Sequence, residues 1–239
     1  MSQTTTVAAV LVSHGDRGGA TPNAALARQA DAVRQLTGLH VQTGMLKGEP
    51  TIEEALQAAA AQAARVAVYP LFMADGYFVQ KVRERVHAVG LTPEPHMQTP
   101  LGLDPGLPDI LVEEALVSAD IASFDPAASR LLIVGHGSKL GPASATATRK
   151  AAARAALTRR FASVATAFLE EEPFLEDTLR TTAATPTIIA GFFFGDGLHA
   201  GEDVPDAIAE TGASAIYTGA IGNSPAIARI IAAALLAHA

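Results

Sequence analysis

The sequence contains no cysteine among its 239 residues. Disulfide bonds, thiolate metal sites and a cysteine nucleophile are therefore excluded, and the composition is compatible with a reducing cytoplasm. Clusters of basic residues are also missing, and the net charge is −7. This charge pattern argues against nucleic acid as a partner.

Long apolar runs and nucleotide-binding motifs are absent as well. No segment approaches the roughly 20 consecutive apolar residues of a membrane-spanning helix. The sequence has neither GxGxxG nor GxxxxGK[ST], so nucleotide binding lacks support. Hydrophobic residues nevertheless make up 49% of the chain, enough for a substantial core. We therefore expect a soluble, mildly acidic, cytoplasmic monomer with no membrane partner.

Short β-branched runs alternate with longer helical patterns along the chain. The first run, VAAVLVS at 7–13, is typical of a buried parallel strand. Further strands are predicted near 40–46, 65–71, 96–99, 131–135, 162–169, 187–194 and 214–218. Helices are predicted near 22–36, 51–64, 77–89, 106–118, 143–160, 173–183, 202–210 and 224–237. This alternation indicates α/β architecture with parallel strands.

Four segments of the first half recur in the second half in the same order, at offsets of 122, 123, 121 and about 120. The matched pairs are LVSHGDRGG (11–19) with IVGHGSKLG (133–141), LKGEPTIEEAL (46–56) with LEEEPFLEDTL (169–179), PLFMADGYFV (70–79) with GFFFGDGLHA (191–200), and TPLGLDP (99–105) with TGAIGNSP (218–225). We therefore predict an internal duplication with domains at 1–120 and 121–239, in which residues 118–130 form the connector.

Two folds are compatible with this pattern. A duplicated α/β unit is favoured, because the repeat is twofold and the connector is longer than a routine βα loop. Eight strand–helix pairs in 239 residues also suit a TIM barrel, which is the alternative.

Each half has an apolar strand that ends in His-Gly, at His14 and at His136. This pattern places both imidazoles at the carboxyl ends of their strands. Open α/β sheets build their sites at that edge.

The differences between the halves predict where the chemistry lies. Only the second half adds Glu170 after its second strand and His199 after its third. The first half has Lys47 and Phe78 at those places. Two imidazoles and one carboxylate at one sheet edge, with His136 as the second imidazole, form a suitable site for a divalent first-row metal ion.

Each motif alone also has a simpler structural explanation. A single His-Gly after a strand is usually a turn, and the Gly-Asp-Gly before His199 is compatible with turn chemistry. The three glutamates at 170–172 could be a solvated helix start. Their occurrence together in one half of a duplication favours a functional site.

The motifs VSHGD, GHGSKLGPAS, FLEEEPFLEDTL and FFFGDGLHAGEDVP resemble those of the class II tetrapyrrole chelatases, in particular the CbiX/SirB-type sirohydrochlorin chelatases of cobalamin and sirohaem synthesis. The resemblance implies two similar Rossmann-like domains with parallel four-stranded sheets that face each other across a cleft. It also implies insertion of Co²⁺ or Fe²⁺ into a preformed macrocycle, with no organic cofactor and the metal ion as a substrate. In contrast to many two-domain members, the histidine pair is in the second half.

The resemblance also suggests a role for each candidate residue. His136 and His199 are metal ligands and proton acceptors, and Glu170 is a third ligand or proton relay. Glu202 and Asp203 orient an imidazole or conduct protons. The candidate substrate-binding residues are His14, Ser138 and the cations Arg17, Lys47, Lys81 and Lys139, which would receive the carboxylates of the macrocycle.

Two questions stay open at the level of sequence. A non-catalytic tetrapyrrole or metal carrier could use the same residues, although a carrier does not need a full set of proton acceptors. The metal is also not identified, because His and Glu suit cobalt, iron or nickel about equally.

Overall fold

Parallel strands and helices alternate through the computed structural model, which describes residues 7–15, 24–139, 141–195, 197 and 199–237. The strands are β1 (Val7–Ser13), β2 (His40–Met45), β3 (Arg65–Pro70), β4 (His96–Met97), β5 (Arg130–Gly135), β6 (Ser163–Phe168), β7 (Thr187–Gly191) and β8 (Ala215–Ala220). The helices are α1 (Ala24–Thr37), α2 (Ile52–Ala60), α3 (Tyr77–Ala88), α4 (Leu107–Ile121), α5 (Ala143–Ala156), α6 (Leu175–Thr181), α7 (Val204–Thr211) and α8 (Ile227–Leu236).

The strands form two parallel four-stranded sheets with the same topology. The strand orders are β2-β1-β3-β4 and β6-β5-β7-β8. Because the eight strands form two sheets of this order and not one ring, the TIM-barrel alternative is wrong. The prediction of two similar α/β domains with parallel four-stranded sheets is confirmed.

The central strands β1 and β5 are buried along their whole length. Parallel strands covered by helices on both faces carry near-continuous apolar runs, which explains the sequences VAAVLVS and RLLIVG. Helix α2 begins with a capping box, in which Thr51 and Glu54 each accept a hydrogen bond from the other's backbone N–H. These local signals explain why the strands and the α2 start lie close to their predicted positions.

The duplication is also present in the backbone hydrogen bonds. The N–H of Met45 donates to the carbonyl of Pro50 at 2.9 Å, and the N–H of Phe168 donates to the carbonyl of Pro173 at 2.9 Å. Both pairs join the end of a sheet's edge strand to the start of the following helix. The same loop structure therefore follows β2 and β6.

The packing units divide the chain differently from the sequence repeats. Unit 1 comprises residues 1–104 and 225–239, and unit 2 comprises residues 105–224. Helix α4 packs on α5, β7 and β8, whereas α8 packs on α1 and β3. Each unit thus contains the last helix of the other repeat, which the predicted boundary at residues 120 and 121 does not anticipate.

The start of the predicted connector is also helical. Helix α4 continues to Ile121, because Ala115 and Ala119 are fully buried in unit 2 and extend its apolar face. Among the described residues, no helix combines the length and the apolar character that crossing a membrane requires.

One ion pair fixes α3 against α2 in unit 1. Arg85 donates hydrogen bonds to the carboxylate of Glu53, and its Nη1 donates to the carbonyl of Leu46 at 2.9 Å. The hydrogen bonds from Arg85 hold the pKa of Glu53 below its usual value, against the opposing effect of burial. The carboxylate form of Glu53 is therefore the form that stabilises this unit.

The helix exchange predicts which fragments fold. A fragment of residues 105–224 retains α4 and should unfold cooperatively on heating. A fragment of residues 121–239 lacks α4 and should not, because truncating even one buried leucine such as Leu111 costs about 2–5 kcal/mol. Circular dichroism during thermal unfolding compares the two. Equal cooperativity and equal midpoints for both fragments would contradict the exchange.

The Glu53–Arg85 pair predicts a pH-dependent contribution to stability. A depressed folded-state pKa contributes stability above the unfolded-state pKa and loses it as pH falls through the folded value. Glu53→Gln should therefore lower the free energy of unfolding by about 0.5–1 kcal/mol at pH 7, a modest value because both side chains are partly exposed. Urea denaturation should show that this difference shrinks as pH falls below the ordinary glutamate pKa of about 4.3 and vanishes once pH is below the lower folded-state pKa. A difference as large in strong acid as at pH 7 would show that the pair is not its cause.

Candidate functional site

The two predicted histidines occupy equivalent positions at the carboxyl ends of the central strands. His14 follows β1, and His136 follows β5. The next residue is a glycine with a positive φ in both cases, 80° at Gly15 and 76° at Gly137. The ring Nδ1 lies 2.9 Å from the glycine carbonyl oxygen in unit 1 and 3.1 Å from it in unit 2.

The loops after β2 and β6 bring residues 47 and 170 to these histidines. The N–H of Lys47 donates to the carbonyl of His14 at 2.9 Å, and the N–H of Glu170 donates to the carbonyl of His136 at 2.9 Å. In unit 2, Glu170 Oε2 also lies 3.7 Å from His136 Nδ1. The structure therefore brings His136 and Glu170 together, and it places a lysine where unit 1 would need the carboxylate.

The surroundings of His136 indicate its tautomer. Its Nδ1 faces two acceptors, the Gly137 carbonyl and the Glu170 carboxylate. We therefore assign the proton of the neutral ring to Nδ1, which leaves the lone pair on Nε2. A carboxylate beside the protonated ring nitrogen is the usual way in which a metal-binding histidine is oriented.

Glu171 fixes the loop that carries His136, and the sequence did not single it out. Its Oε2 accepts a hydrogen bond from the backbone N–H of Ser138 at 3.0 Å, and its Cγ lies against the position a Cβ would take on Gly137. The residue at the matching position of unit 1 is Gly48, which has no side chain. In unit 2 a side chain thus holds this loop, and Gly48 cannot supply an equivalent one in unit 1.

Arg149 of α5 is a second residue that sequence reasoning missed. Its Nη2 lies 3.6 Å from Glu171 Oε1, and its guanidinium lies 5.0 Å from the centre of the Phe168 ring. At the offset of 122, the corresponding residue of the first half is Ala27, so the repeat contains no signal for it. Arg149 places a half-exposed positive charge beside the glutamates of the site.

His199 begins a π-helical turn, His199–Asp203, directly before α7. The buried residues of this segment are spaced differently from their counterparts in the first repeat: Val79 and Val82 are three residues apart, whereas Ala200 and Val204 are four apart. One extra residue therefore follows His199, and such π-helical insertions are frequent at functional sites. The side chain of His199 lies outside what the structure describes, so its predicted role as a ligand stays a prediction.

In unit 1, the residue that matches His199 is Phe78. Its ring lies edge-on against the imidazole of His14, with centroids 4.5 Å apart. Side chains at these two repeat positions therefore reach each other in the unit where both are described.

An acidic groove lies beside the site in unit 2. It has a volume of about 450 Å³, and its walls include the apolar side chains of Phe168, Phe174 and Leu175. The carboxylates along it are Glu176, Asp177, Asp203, Asp206 and Glu210. Asp203, a predicted orienting residue, therefore lines this groove, and Glu202 is exposed. Among the described side chains, which exclude that of His199, no three His, Asp or Glu are arranged to hold a metal ion.

The predicted substrate-binding cations are placed only in part. Lys47 and Lys139 are exposed. Lys81 is partly exposed and forms an ion pair with Glu84 at 2.7 Å. Arg17 lies outside the described residues. The roles of these residues and of Ser138 stay predictions.

The comparisons with known proteins agree with the duplicated fold. The model of the CbiX family matches residues 8–116 and again residues 130–237. A probable sirohydrochlorin cobaltochelatase of Halobacterium salinarum is 23% identical over 262 residues, which cover 94% of this chain and 89% of the relative. The predicted family resemblance is confirmed by these matches.

Two solved structures are also similar over nearly their whole length. One is CbiX, the terminal enzyme for biosynthesis of sirohaem in denitrifying bacteria, with 27% identity, a TM-score of 0.80, and coverage of 97% of this chain and 99% of that chain. The other is SirB from Bacillus subtilis with Fe³⁺, with 18% identity, a TM-score of 0.80, and coverage of 97% and 94%. The SirB likeness shows the fold alone.

The fastening of the His136 loop predicts a stability difference between neighbouring glutamates. Glu171→Ala should lower the free energy of unfolding by about 1–3 kcal/mol, because it removes the charged, partly buried acceptor of the Ser138 N–H. Glu172→Ala is the matched control, since Glu172 is exposed, and it should change stability by less than about 0.5 kcal/mol. Urea denaturation measures both. Equal losses would show that Glu171 does not fasten the loop.

Proposed function

The chain belongs to the CbiX family, and from this premise we propose that it is a sirohydrochlorin chelatase, a lyase that inserts Co²⁺ or Fe²⁺ into a carboxylate-rich tetrapyrrole. The observation that carries this proposal is the His136–Glu170 pair, which follows the carboxyl ends of β5 and β6 in unit 2. Unit 1 has the same backbone hydrogen bond at the equivalent position, but it has Lys47 in place of the glutamate. The named relative, a probable sirohydrochlorin cobaltochelatase, supports the choice of macrocycle.

The proposed reaction exchanges two protons of the macrocycle for one divalent ion. Two pyrrole N–H bonds break, two metal–nitrogen bonds form in addition to two from the other ring nitrogens, and two protons leave. The protein must therefore hold the ion weakly enough to release it, and it must accept protons nearby. No ATP or organic cofactor is needed, and the ion is a substrate.

We assign these two tasks to the groups on either side of the His136 ring. With the proton on Nδ1, the Nε2 lone pair is the one that binds the ion or accepts a pyrrole proton. The Glu170 carboxylate near Nδ1 stabilises the imidazolium that forms when Nε2 takes up a proton. Glu170 therefore acts as an orienting group and proton relay in this proposal.

His199 is proposed as the second imidazole on the basis of the repeat. Phe78 contacts His14 in unit 1. The extra residue of unit 2 comes after His199, so it does not change the alignment of His199 with Phe78. The same backbone path in unit 2 would bring His199 to His136. Two neutral imidazoles without a thiolate are suited to bind cobalt or iron reversibly.

The proposal predicts unequal effects for three histidine variants. His199→Ala should lower the rate of sirohydrochlorin metallation by about 100-fold or more, since it removes a ligand and proton acceptor. His14→Ala should lower it by less than about tenfold. His87→Ala is a surface control, because His87 is largely exposed on α3, and it should leave the rate unchanged.

The measurement follows the absorbance of sirohydrochlorin after addition of Co²⁺ without oxygen, corrected for the rate without protein. Equal losses in His14→Ala and His199→Ala would show that the two units share the chemistry. Tight binding of sirohydrochlorin without any accelerated metallation would favour a carrier over an enzyme.

A further inference from the structure

Two adjacent aromatic side chains are exposed where α3 begins, beyond the carboxyl end of β3. Tyr77 is 63% exposed and Phe78 is 43% exposed. The chain has only nine phenylalanines, three tyrosines and no tryptophan, so two adjacent exposed aromatic residues are a substantial part of its aromatic side chains. An exposed apolar surface beside a sheet edge at which sites form calls for an explanation by binding.

The Phe78 ring is held in place by three other rings. It contacts His14 edge-on with centroids 4.5 Å apart, and it contacts Tyr77 edge-on at 5.5 Å. Beneath it, the buried ring of Phe72 lies nearly parallel at 6.5 Å. The ring is therefore fixed before any ligand arrives, which lowers the entropy lost on binding.

His14 serves as a support for this surface and is poorly placed to bind an ion. Its Nδ1 lies 2.9 Å from the Gly15 carbonyl, so Nε2 carries the lone pair. That Nε2 is buried and has no hydrogen-bond partner among the residues that the structure describes, and Phe78 packs against the ring. A buried nitrogen beside an apolar ring is a poor site for a hydrated ion.

A cation lies at the edge of the aromatic surface. Lys81 is one helical turn beyond Tyr77, and its Nζ lies 5.6 Å from the centre of the Tyr77 ring. It also pairs with Glu84 at 2.7 Å, but both side chains are more than 40% exposed. Such a solvent-exposed pair contributes little to stability, so the ammonium can exchange Glu84 for another carboxylate.

We propose that the Tyr77–Phe78 surface of unit 1 binds the flat face of the tetrapyrrole by stacking, and that Lys81 binds one of its carboxylates. This inference rests on the proposed function. A conjugated ring, planar and edged with carboxylates, matches a rigid aromatic surface with a cation at its edge. At the position where the second repeat has His199, the first repeat thus presents a macrocycle-binding ring.

The test measures binding of metal-free sirohydrochlorin and its metallation in variants at position 78. Phe78→Ala and Phe78→Leu should raise the Kd by about tenfold, because stacking on an aromatic ring contributes on that scale. Phe78→Trp should keep the wild-type Kd, since it retains a flat π face. The KM for sirohydrochlorin should rise with the Kd, whereas kcat should change by less than about threefold.

One control variant and two further test variants separate the possible outcomes. Leu157→Ala removes an exposed apolar side chain from unit 2 and should leave the Kd unchanged. Tyr77→Ala repeats the test at the neighbouring ring, in case Phe78→Ala disturbs the packing of Phe72. Lys81→Gln should weaken binding in low salt and lose that effect in high salt.

Unchanged Kd in both Phe78→Ala and Tyr77→Ala would overturn the stacking proposal. Full binding by Phe78→Leu would also overturn it, since apolar contact would then suffice. Failure of the wild-type protein to bind or metallate sirohydrochlorin would instead overturn the proposed function.

Discussion

The site depends on one backbone hydrogen bond that occurs once in each unit. It joins the residue after the second strand to the histidine after the first: Lys47 to His14, and Glu170 to His136. Because only main-chain atoms take part, the bond places the two loops together whatever side chains they carry. The same frame can therefore hold a histidine–carboxylate pair in one unit and a supporting histidine in the other.

The differences around this frame change its chemistry. In unit 2, Glu171 fastens the loop and Glu170 faces the ring nitrogen that bears the proton. In unit 1, Gly48 has no side chain with which to hold the loop, and the Phe78 ring packs edge-on against the imidazole of His14. Metal binding and ring stacking are separate demands of a chelatase, and a duplicated unit allows each copy to serve one of them.

Much of the fold could be predicted from the sequence, because strand periodicity and the offset near 122 are both local or repeated signals. The exchange of α4 and α8 between the units could not be predicted. Each helix follows the fourth strand of its repeat, and periodicity does not show which sheet its apolar face covers. The proximity of His136 and Glu170 could be predicted, because both residues follow strands that end at the same edge of one parallel sheet. The contacts of Glu171 and Arg149 could not be predicted, because the first repeat has no equivalent side chains with which to compare them.

The central claim is that the metal site belongs to the second repeat alone. A titration with Co²⁺, followed by its visible absorption and by the number of ions bound per chain, tests this most directly. The account predicts one ion per chain, lost in His136→Ala and retained in His14→Ala. Two ions per chain, or loss of the ion in His14→Ala, would contradict it.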